Sequence, residues 1–360
     1  MSTINVLALT RYGQLGASSR MRTFQYMPYF KNDNVIVHCE PLFEDASLSA
    51  RYKAGSYSLL DLVKSYRRRI KVLMGRGRFD VLWIEKEALP WLPLWLEKFL
   101  LRGTPYVLDY DDAVFHKYDQ HRIPFVRHLF GRRLDGLMSN ASLVIGGNSY
   151  LAQRARDAGS PWVKVLPTVI DLNRYPFPMP GQEDASNDVP TVVWIGSPST
   201  VRYLKILQSP LQALALRLPF VLRVIGGEID LPGVKVQCVA WSEATEVENI
   251  SVGHVGVMPL LDSPWERGKC GYKLIQYMAC GLPVVASPVG VNAEIVEPGV
   301  NGYLASNEEE WLSALEGLLT QAHLRQSLGE AGRAKVEAQY CIQKTGPKMA
   351  WLLIKAANGG

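Results

Sequence analysis

Short apolar runs alternate with amphipathic stretches along the whole of this chain, and this alternation limits the fold more than any other feature. The runs are INVLAL, NVIVHCE, DVLWIE, PYVLDY and SLVIGGN in the first half, and TVVWIG, FVLRVIGG, VKVQCVA, VGVMPL and LPVVAS in the second. Helical periodicity fills the gaps, most clearly over 59–73, 91–102, 200–218, 271–280, 308–319, 322–338 and 345–356. Strands that alternate with helices predict an α/β protein built on parallel sheets.

One segment interrupts the alternation. Residues 173–190 are rich in Pro, Asp, Asn and Gly and have no periodicity, which is typical of an interdomain linker. A chain of 360 residues is also too long for one typical core. We therefore expect a first domain at 1–172, a linker at 173–190 and a second domain at 191–344. A final helix at 345–360 is a candidate for packing back on the first domain.

The cysteines indicate a reducing environment. They are odd in number, scattered and without a CxxC pair: Cys39, Cys238, Cys270, Cys280 and Cys341. This spacing argues against a disulfide framework or a zinc site. The start of the chain lacks a basic segment, and no stretch reaches the ~20 apolar residues that span a bilayer. We expect a cytoplasmic protein, with peripheral contact at the cytoplasmic membrane face as an open alternative.

Charge is divided unequally between the two halves. Residues 1–175 contain 25 Lys and Arg against 16 Asp and Glu, whereas the remainder contains 14 against 18. A basic first half indicates an anionic partner. No motif of nucleic-acid recognition accompanies the charge, so we expect no nucleic-acid partner.

The densest basic run, from Tyr66 to Lys71, is followed by Arg76 and Arg78 and by the Trp-rich segment 89–103. Two interpretations stay open. The run is a solvated basic face beside a core helix, as most charge runs are. Alternatively, it docks on a membrane, with arginines on anionic headgroups and the indoles of Trp91 and Trp95 at the interface.

A glycine-rich turn at 268–271 opens a predicted helix and carries two lysines. Backbone N–H groups at such a turn, together with the positive end of the helix dipole, favour a phosphate. Lys269 and Lys273 are four residues apart, so on one helix they share a face and would hold a diphosphate together. The alternative is a solvated lysine pair beside an ordinary turn.

The stretch KLIQYMACGLPVVASPVGVNAEIVEPGVNGYLA resembles the donor-binding segment of glycosyltransferase family 4. Further similarity lies in GASSRMR, VLDYDDAVF, GNSYLAQRA, VLPTVIDLNRY, WIGSPSTVRYL and VLRVIGG, in the family's order. The resemblance implies the GT-B fold, with two Rossmann-like doubly wound domains facing each other across a cleft. It also implies a retaining enzyme whose second domain binds a nucleotide-sugar and whose first domain binds the acceptor.

The resemblance implies catalysis without an essential metal, so we expect no cofactor. Asp109, Asp111 and Asp112 look like a metal cluster at first, but they end a strand where relatives place a polar residue of the catalytic cleft. On this basis the predicted catalytic residues are Asp111, Lys269 and Lys273. The predicted substrate-binding residues are Gly16, Arg20, Asp112, Ser197, Thr200, Arg202, Glu266, Gly271, Gln276 and Glu294.

Several of these positions depart from the family or allow a second interpretation. Most relatives carry two glutamates eight positions apart, where this chain has Gly268 and Gln276; the latter can contact a ribose hydroxyl but brings no charge. The acidic residue closest in sequence to these two positions is Glu266. Ser197 and Thr200 follow a strand and either contact the donor or cap a helix.

The sequence thus predicts a retaining glycosyltransferase that moves a sugar from a nucleoside-diphosphate-sugar to a cell-surface glycan, such as a lipopolysaccharide, or to a lipid-linked acceptor. Two alternatives stay open. A nucleotide-sugar epimerase shares the fold and needs no acceptor. A catalytically silent scaffold would bind the sugar nucleotide without turnover.

Overall fold

The computed structural model describes residues 3–32, 34–177 and 189–359. The chain divides into two compact units: unit 1 comprises Met1–Thr168, Gly268–Cys270 and Ile342–Gly360, and unit 2 comprises Val169–Arg267 and Gly271–Cys341. Most of the predicted linker, 178–188, lies outside the described residues. Just before it, Leu172–Arg174 form one turn of 3-10 helix.

Among the described residues, unit 1 holds a parallel sheet of six strands in the order β2-β1-β3-β4-β5-β6. The strands are β1 (Ile4–Tyr12), β2 (Val35–Phe43), β3 (Val81–Glu85), β4 (Tyr106–Tyr110), β5 (Leu143–Gly146) and β6 (Val163–Val165). Strands β3, β4 and β5 are buried along their whole length. This explains why they read as continuous apolar runs: helices cover both faces of a parallel sheet.

Helices follow the strands of unit 1 in turn. They are α1 (Ala17–Arg22), α2 (Asp45–Ala54), α3 (Leu59–Met74), α4 (Leu94–Leu101), α5 (His116–Asp119), α6 (Pro124–Phe130), α7 (Arg133–Met138) and α8 (Ser149–Asp157). Two 3-10 helices, Phe24–Asn32 and Arg76–Arg78, complete the connections. Ser58 caps α3 through the Asp61 N–H, and Asn148 caps α8 through the Leu151 N–H.

In the described part of the chain, unit 2 holds a second parallel sheet in the order β12-β11-β10-β7-β8-β9. Its strands are β7 (Thr191–Ile195), β8 (Val221–Ile225), β9 (Val236–Val239), β10 (Val255–Met258), β11 (Val284–Ala286) and β12 (Gly302–Leu304). Val193 and Ile195 pack into one core cluster, and Val192 and Trp194 into the other. Alternate residues of a strand point to opposite faces, so β7 supplies both cores.

The helices of unit 2 begin with a 3-10 helix at Val201–Leu207. The others are α9 (Gln208–Ala215), α10 (Glu246–Ser251), α11 (Pro264–Arg267), α12 (Tyr272–Ala279), α13 (Asn292–Ile295), α14 (Glu308–Thr320) and α15 (Ala322–Gln339). The last helix of the chain, α16 (Ile342–Ala357), belongs to unit 1. Its Thr345 hydroxyl lies 3.0 Å from the Tyr26 hydroxyl.

The predicted α/β class with two parallel sheets is confirmed. The short edge strands β6 and β12 were not predicted, because they are only partly buried and form no apolar run, whereas β11, equally short, is fully buried. The helix predicted at 91–102 begins only at Leu94, after Pro93, and Trp91 has a φ of +62°. No described helix combines the length and the apolar character that crossing a bilayer requires.

Candidate active site

The first set of predicted residues lies at the carboxyl end of β1. Gly16 packs so closely on the Tyr12 side chain that a Cβ there would clash, and its carbonyl accepts the Arg20 N–H at 2.8 Å. The Arg20 guanidinium donates back to the Gln14 carbonyl at 3.0 Å. Arg20 is therefore nine-tenths buried over this loop instead of extending into solvent.

The acidic residues at the end of β4 and directly after it each face a cation. Asp109 accepts two bonds from the Arg22 guanidinium, at 2.6 and 2.9 Å, and both side chains are 1% exposed. Asp111 lies 2.7 Å from the Lys86 ammonium. Over the part of the chain that the structure describes, no group of three or more His, Cys, Asp and Glu could hold a metal ion. In this structure the acids form a network of ion pairs.

Neighbouring charges separate the two adjacent carboxyls. Burial alone raises the pKa of Asp111, but the Lys86 ammonium and the Ser18 hydroxyl outweigh it, and the net pKa is lowered. The pKa of Asp112 is raised, by burial and by the negative charge of Asp111. Carboxyls with opposite shifts are suited to different roles, one staying ionised while the other takes up a proton more readily.

The turn at 268–270 joins this network in unit 1. The Lys269 ammonium lies 3.8 Å from the Asp112 carboxylate. The backbone carbonyl of Lys269 accepts a hydrogen bond from the Asn148 side-chain amide at 2.8 Å. The Cys270 thiol donates to the Asp111 carbonyl at 3.1 Å. These contacts hold Lys269 half-buried beside the acids.

The prediction that Lys269 and Lys273 share one helical face was wrong. Helix α12 begins at Tyr272, and Gly271 before it has a φ of +65°, which turns the chain out of the helical path. Lys269 therefore belongs to unit 1 and Lys273 to unit 2. The prediction from sequence spacing required an unbroken helix through Gly271, where the backbone is left-handed.

Lys273 is in the first turn of α12, and its side chain reaches the carboxyl end of β7. Its ammonium is 4.0 Å from the centre of the Trp194 ring, a cation–π contact with a fully buried indole. A Cβ at Gly196 would come within 2.7 Å of this ammonium. Glycine at this position thus leaves the space that the lysine head occupies.

The segment after Gly196 is held by its own hydroxyls. The Thr200 hydroxyl donates to the Ser197 carbonyl at 3.0 Å, and the Ser197 N–H donates to that hydroxyl at 3.2 Å. Neither side chain caps the following 3-10 helix. Both residues, and Arg202 beyond them, have exposed or half-exposed side chains at this edge of the sheet. A donor contact by these three stays a prediction.

The structure places Glu266 and Gln276 in the interior of unit 2. Glu266 is 6% exposed and accepts bonds from the hydroxyls of Tyr203 and Ser263. The Gln276 amide, 3% exposed, donates to the Tyr175 hydroxyl at 3.1 Å. Glu294 is exposed on α13, and its carbonyl accepts a bond from Lys335. Contacts of these three with substrate stay predictions.

Analysis of the sequence did not identify two residues of these clusters. Lys86 was overlooked because a single lysine in a loop has no motif, although its place directly after the buried strand DVLWIE was a signal. Trp194 was assigned to the strand core, where its apolar character fits, and its contact with Lys273 depends on the fold.

Comparison with known proteins now adds a family. Residues 190–321 match the family model described as glycosyl transferases group 1. These residues form a group 1 glycosyltransferase domain. Spore coat protein SA of Bacillus subtilis strain 168 is 33% identical over 70 residues, a stretch that spans 19% of this chain and 19% of that protein. The predicted assignment to glycosyltransferases is therefore confirmed for residues 190–321.

Several solved structures share the fold over nearly the whole chain and not only over the group 1 domain. Anabaena HepE in complex with UDP has a TM-score of 0.72 at 16% identity, covering 98% of this chain and 100% of its own. Sucrose-phosphate synthase of Thermosynechococcus elongatus has the same score and identity, covering 99% and 100%. WaaG, a glycosyltransferase involved in lipopolysaccharide biosynthesis, scores 0.67 at 14%, covering 97% and 99%. The predicted GT-B fold is confirmed.

Proposed function

We propose that this chain transfers a glycosyl group, with retention of configuration, from a nucleoside-diphosphate-sugar to a cell-surface glycan or lipid-linked acceptor. The observation that carries the proposal is the Lys273 ammonium, held over Trp194 beside Gly196 at the carboxyl end of β7 in the group 1 domain. Ligands of doubly wound folds bind at this end of the strands.

The donor diphosphate fits the chemistry of this position. A lysine ammonium is a compact positive charge that suits phosphate oxygens, and the indole below it limits its freedom. Nearby, Gly226 has a φ of +81° and packs on the Gly196 carbonyl, so the loops after β7 and β8 approach each other without side chains between them. Solved structures of HepE hold UDP, and UDP-glucose, which makes UDP-sugars the first donors to test.

The chemical step needs stabilisation of charge that grows on the departing diphosphate. Positive groups that are already in place before the reaction stabilise that charge without reorganisation, and this differential binding lowers the barrier. We assign this role to Lys273 and Lys269. Asp111, ionised through Lys86, is assigned to the glycosyl group or the attacking hydroxyl at the end of β4.

The test combines binding with kinetics. A nucleoside diphosphate at a hundred times its Kd stabilises a folded protein by ~2.7 kcal/mol, so thermal shifts against a panel of such compounds identify the donor base. With that donor, Lys273→Ala is expected to lower kcat/KM by ~100-fold or more, as loss of a charge-stabilising group does. Lys235→Ala removes an exposed lysine of the same unit and should change nothing.

A loss of less than about tenfold in Lys273→Ala would contradict this role for Lys273. Product analysis separates the remaining functions. Conversion of the donor alone into an isomer identifies an epimerase. Binding without turnover, in the presence of a membrane extract as a source of acceptors, identifies a silent scaffold.

We further propose that unit 1 docks on an anionic membrane surface through α6. Phe125 and Leu129 are 70% and 56% exposed on this helix, and Ile123 before it is 45% exposed. No Asp or Glu occurs between residues 120 and 134, whereas this segment carries the exposed Arg122, Arg127 and Arg132. Apolar side chains among arginines suit a headgroup region with negative charge.

The basic run from Tyr66 to Lys71, which suggested a membrane contact from the sequence, makes contacts mostly within unit 1. Arg69 is 2% exposed and donates to the carbonyls of Thr10 and Glu40, and Arg68 pairs with Glu44. Only part of the run, such as Arg67, faces solvent. Support for the membrane proposal therefore comes from α6 and from Trp95 on α4, which is 69% exposed.

A further inference from the structure

Lys86 stands out among the lysines of unit 1 by its backbone. It follows β3 with a φ of +65°, in the left-handed region that residues other than glycine rarely adopt, and it is 5% exposed. Its N–H donates to the Asp109 carbonyl at 2.9 Å, which ties it to the neighbouring strand β4. Such conformations persist only where the surroundings impose them, and they cluster at functional sites.

The residues after Lys86 supply that constraint. Glu87 accepts bonds from the Arg133 guanidinium at 2.5 Å and from the Tyr118 hydroxyl at 2.8 Å. Glu97 accepts the Ala88 N–H at 2.7 Å and also pairs with Arg133. All the side chains in these ion pairs are 2% exposed or less. This buried network holds the loop that starts at Lys86.

The Lys86 side chain is thereby directed at one carboxylate. Its ammonium lies 2.7 Å from Asp111 Oδ1 and 3.0 Å from the Ser18 hydroxyl, with Glu85 at 3.7 Å. The three partners come from the end of β4, the start of α1 and the end of β3. Three segments therefore converge on one ammonium.

We propose that Lys86 is a positioning residue for the glycosyl transfer, and that its ammonium holds the Asp111 carboxylate in a single orientation at the end of β4. This inference rests on the proposed function, because it assigns to Lys86 the control of a residue placed at the substrate. Lys86 itself is too buried to meet a substrate. Its effect therefore passes through Asp111.

The charges around Asp111 determine what removal of Lys86 does. The groups that face Asp111 or its immediate partners are Lys86, Glu85, Arg22, Asp109, Asp112, Lys269, Cys270 and Lys117. Burial and Asp112 favour the protonated carboxyl, and Lys86 is the largest opposing influence. Without Lys86, the pKa of Asp111 rises, and the carboxylate is lost at a higher pH on acidification.

The experiment compares Lys86→Met with Lys86→Arg in the full chain. The Asp111 carboxyl is followed by ¹³C NMR, with Asp111→Asn as the assignment control, and the pH profile of kcat is measured in parallel. In Lys86→Met we expect both the titration and the acid limb of kcat to move up by about one pH unit or more. Lys86→Arg keeps the charge, so its titration should stay near that of the wild type.

Lys86→Arg should nevertheless lower kcat by about tenfold or more, because a larger, planar cation shifts Asp111. Lys64→Met, which removes an exposed lysine of α3, is the matched control and should match the wild type. If Lys86→Met does not fold, Ser18→Ala removes one ligand of the ammonium and is expected to move both readouts in the same direction.

Three outcomes decide the matter. An Asp111 titration that is unchanged in Lys86→Met overturns the proposal. A titration that moves while the acid limb of kcat stays in place also overturns it, because the pair is then structural only. Wild-type protein without any glycosyl transfer contradicts the proposed function instead, and the NMR titration still reports whether Lys86 controls Asp111.

Discussion

Gly271 and Gly317 belong to the same unit and place opposite demands on the backbone. Gly271 precedes α12 with a φ of +65°, and a Cβ there would clash with Ile295 and approach Val291. Gly317 lies inside α14, and a Cβ there would meet nothing within 4 Å. One position needs glycine, whereas the other only bears its entropic cost.

Alanine at these two positions should therefore change stability with opposite signs. Gly271→Ala is expected to lower the free energy of unfolding by at least ~1–2 kcal/mol, since a left-handed L-residue costs about this much before the clash is added. Gly317→Ala should raise it by ~0.5–1 kcal/mol. Urea unfolding of both variants measures the difference, and equal effects of the same sign would contradict the backbone assigned to Gly271.

At the scale of elements, α6 shows that burial cannot be inferred from apolar content alone. Its sequence PFVRHLF is mostly apolar, yet the row of Phe125, Arg127, His128 and Leu129 is exposed. No residue of α6 is buried, so its apolar side chains face solvent and not a core. Its exposed apolar side chains are what the membrane proposal explains.

Replacing Phe125 and Leu129 together by Ser should abolish or sharply weaken binding to vesicles that contain anionic lipid. Sedimentation with the vesicles measures this, and 0.5 M salt should weaken binding of the wild type as well, since screening shortens electrostatic reach to a few ångströms. Leu216→Ser is the matched control, because Leu216 is 91% exposed in unit 2.

Binding of the double variant at the wild-type level would rule out α6 as the contact. Equal binding of the wild type to purely zwitterionic vesicles would show that the arginines of this region do not contribute. Either result leaves the glycosyl transfer proposal unaffected, because α6 carries none of the residues assigned to it.

At the scale of the whole molecule, the chain passes from unit 1 to unit 2 and later returns. Residues 342–360 rejoin unit 1, where Leu352 and Leu353 of α16 are buried. Tyr26 on a 3-10 helix near the start of the chain meets Thr345 on α16. The fold of unit 1 is therefore complete only when the last helix has been added.

Removing a buried side chain of α16 leaves a cavity that should destabilise unit 1 and not unit 2. Leu353 is fully buried, so Leu353→Ala is expected to cost ~2–5 kcal/mol. Hydrogen exchange should then accelerate in β1, β3 and β4, which α16 contacts, while β7 and β10 keep their protection. Leu216→Ala, at an exposed site, should leave both unchanged. Equal loss of protection in both units would contradict the assignment of α16.

Much of the fold was predictable because it depends on local periodicity. The runs that became β3, β4, β7 and β10 were found within a few residues, since strands buried on both faces are continuously apolar. The edge strands β6 and β12 are short and only partly buried, so they form no apolar run. The glycine-rich turn was also recognised, but the direction of the chain through Gly271 was not, because a left-handed φ has no signature beyond glycine itself.

The sequence by itself determined the α/β class, the two sheets and the resemblance to glycosyltransferase family 4, since each depends on the order of residues along the chain. It also placed Asp111, Lys269 and Lys273 among the residues of interest. Only the tertiary structure decided their partners: Lys86 for Asp111, Asp112 for Lys269 and Trp194 for Lys273. Charge pairing depends on distances of a few ångströms between segments that are far apart in sequence, and only packing determines those distances.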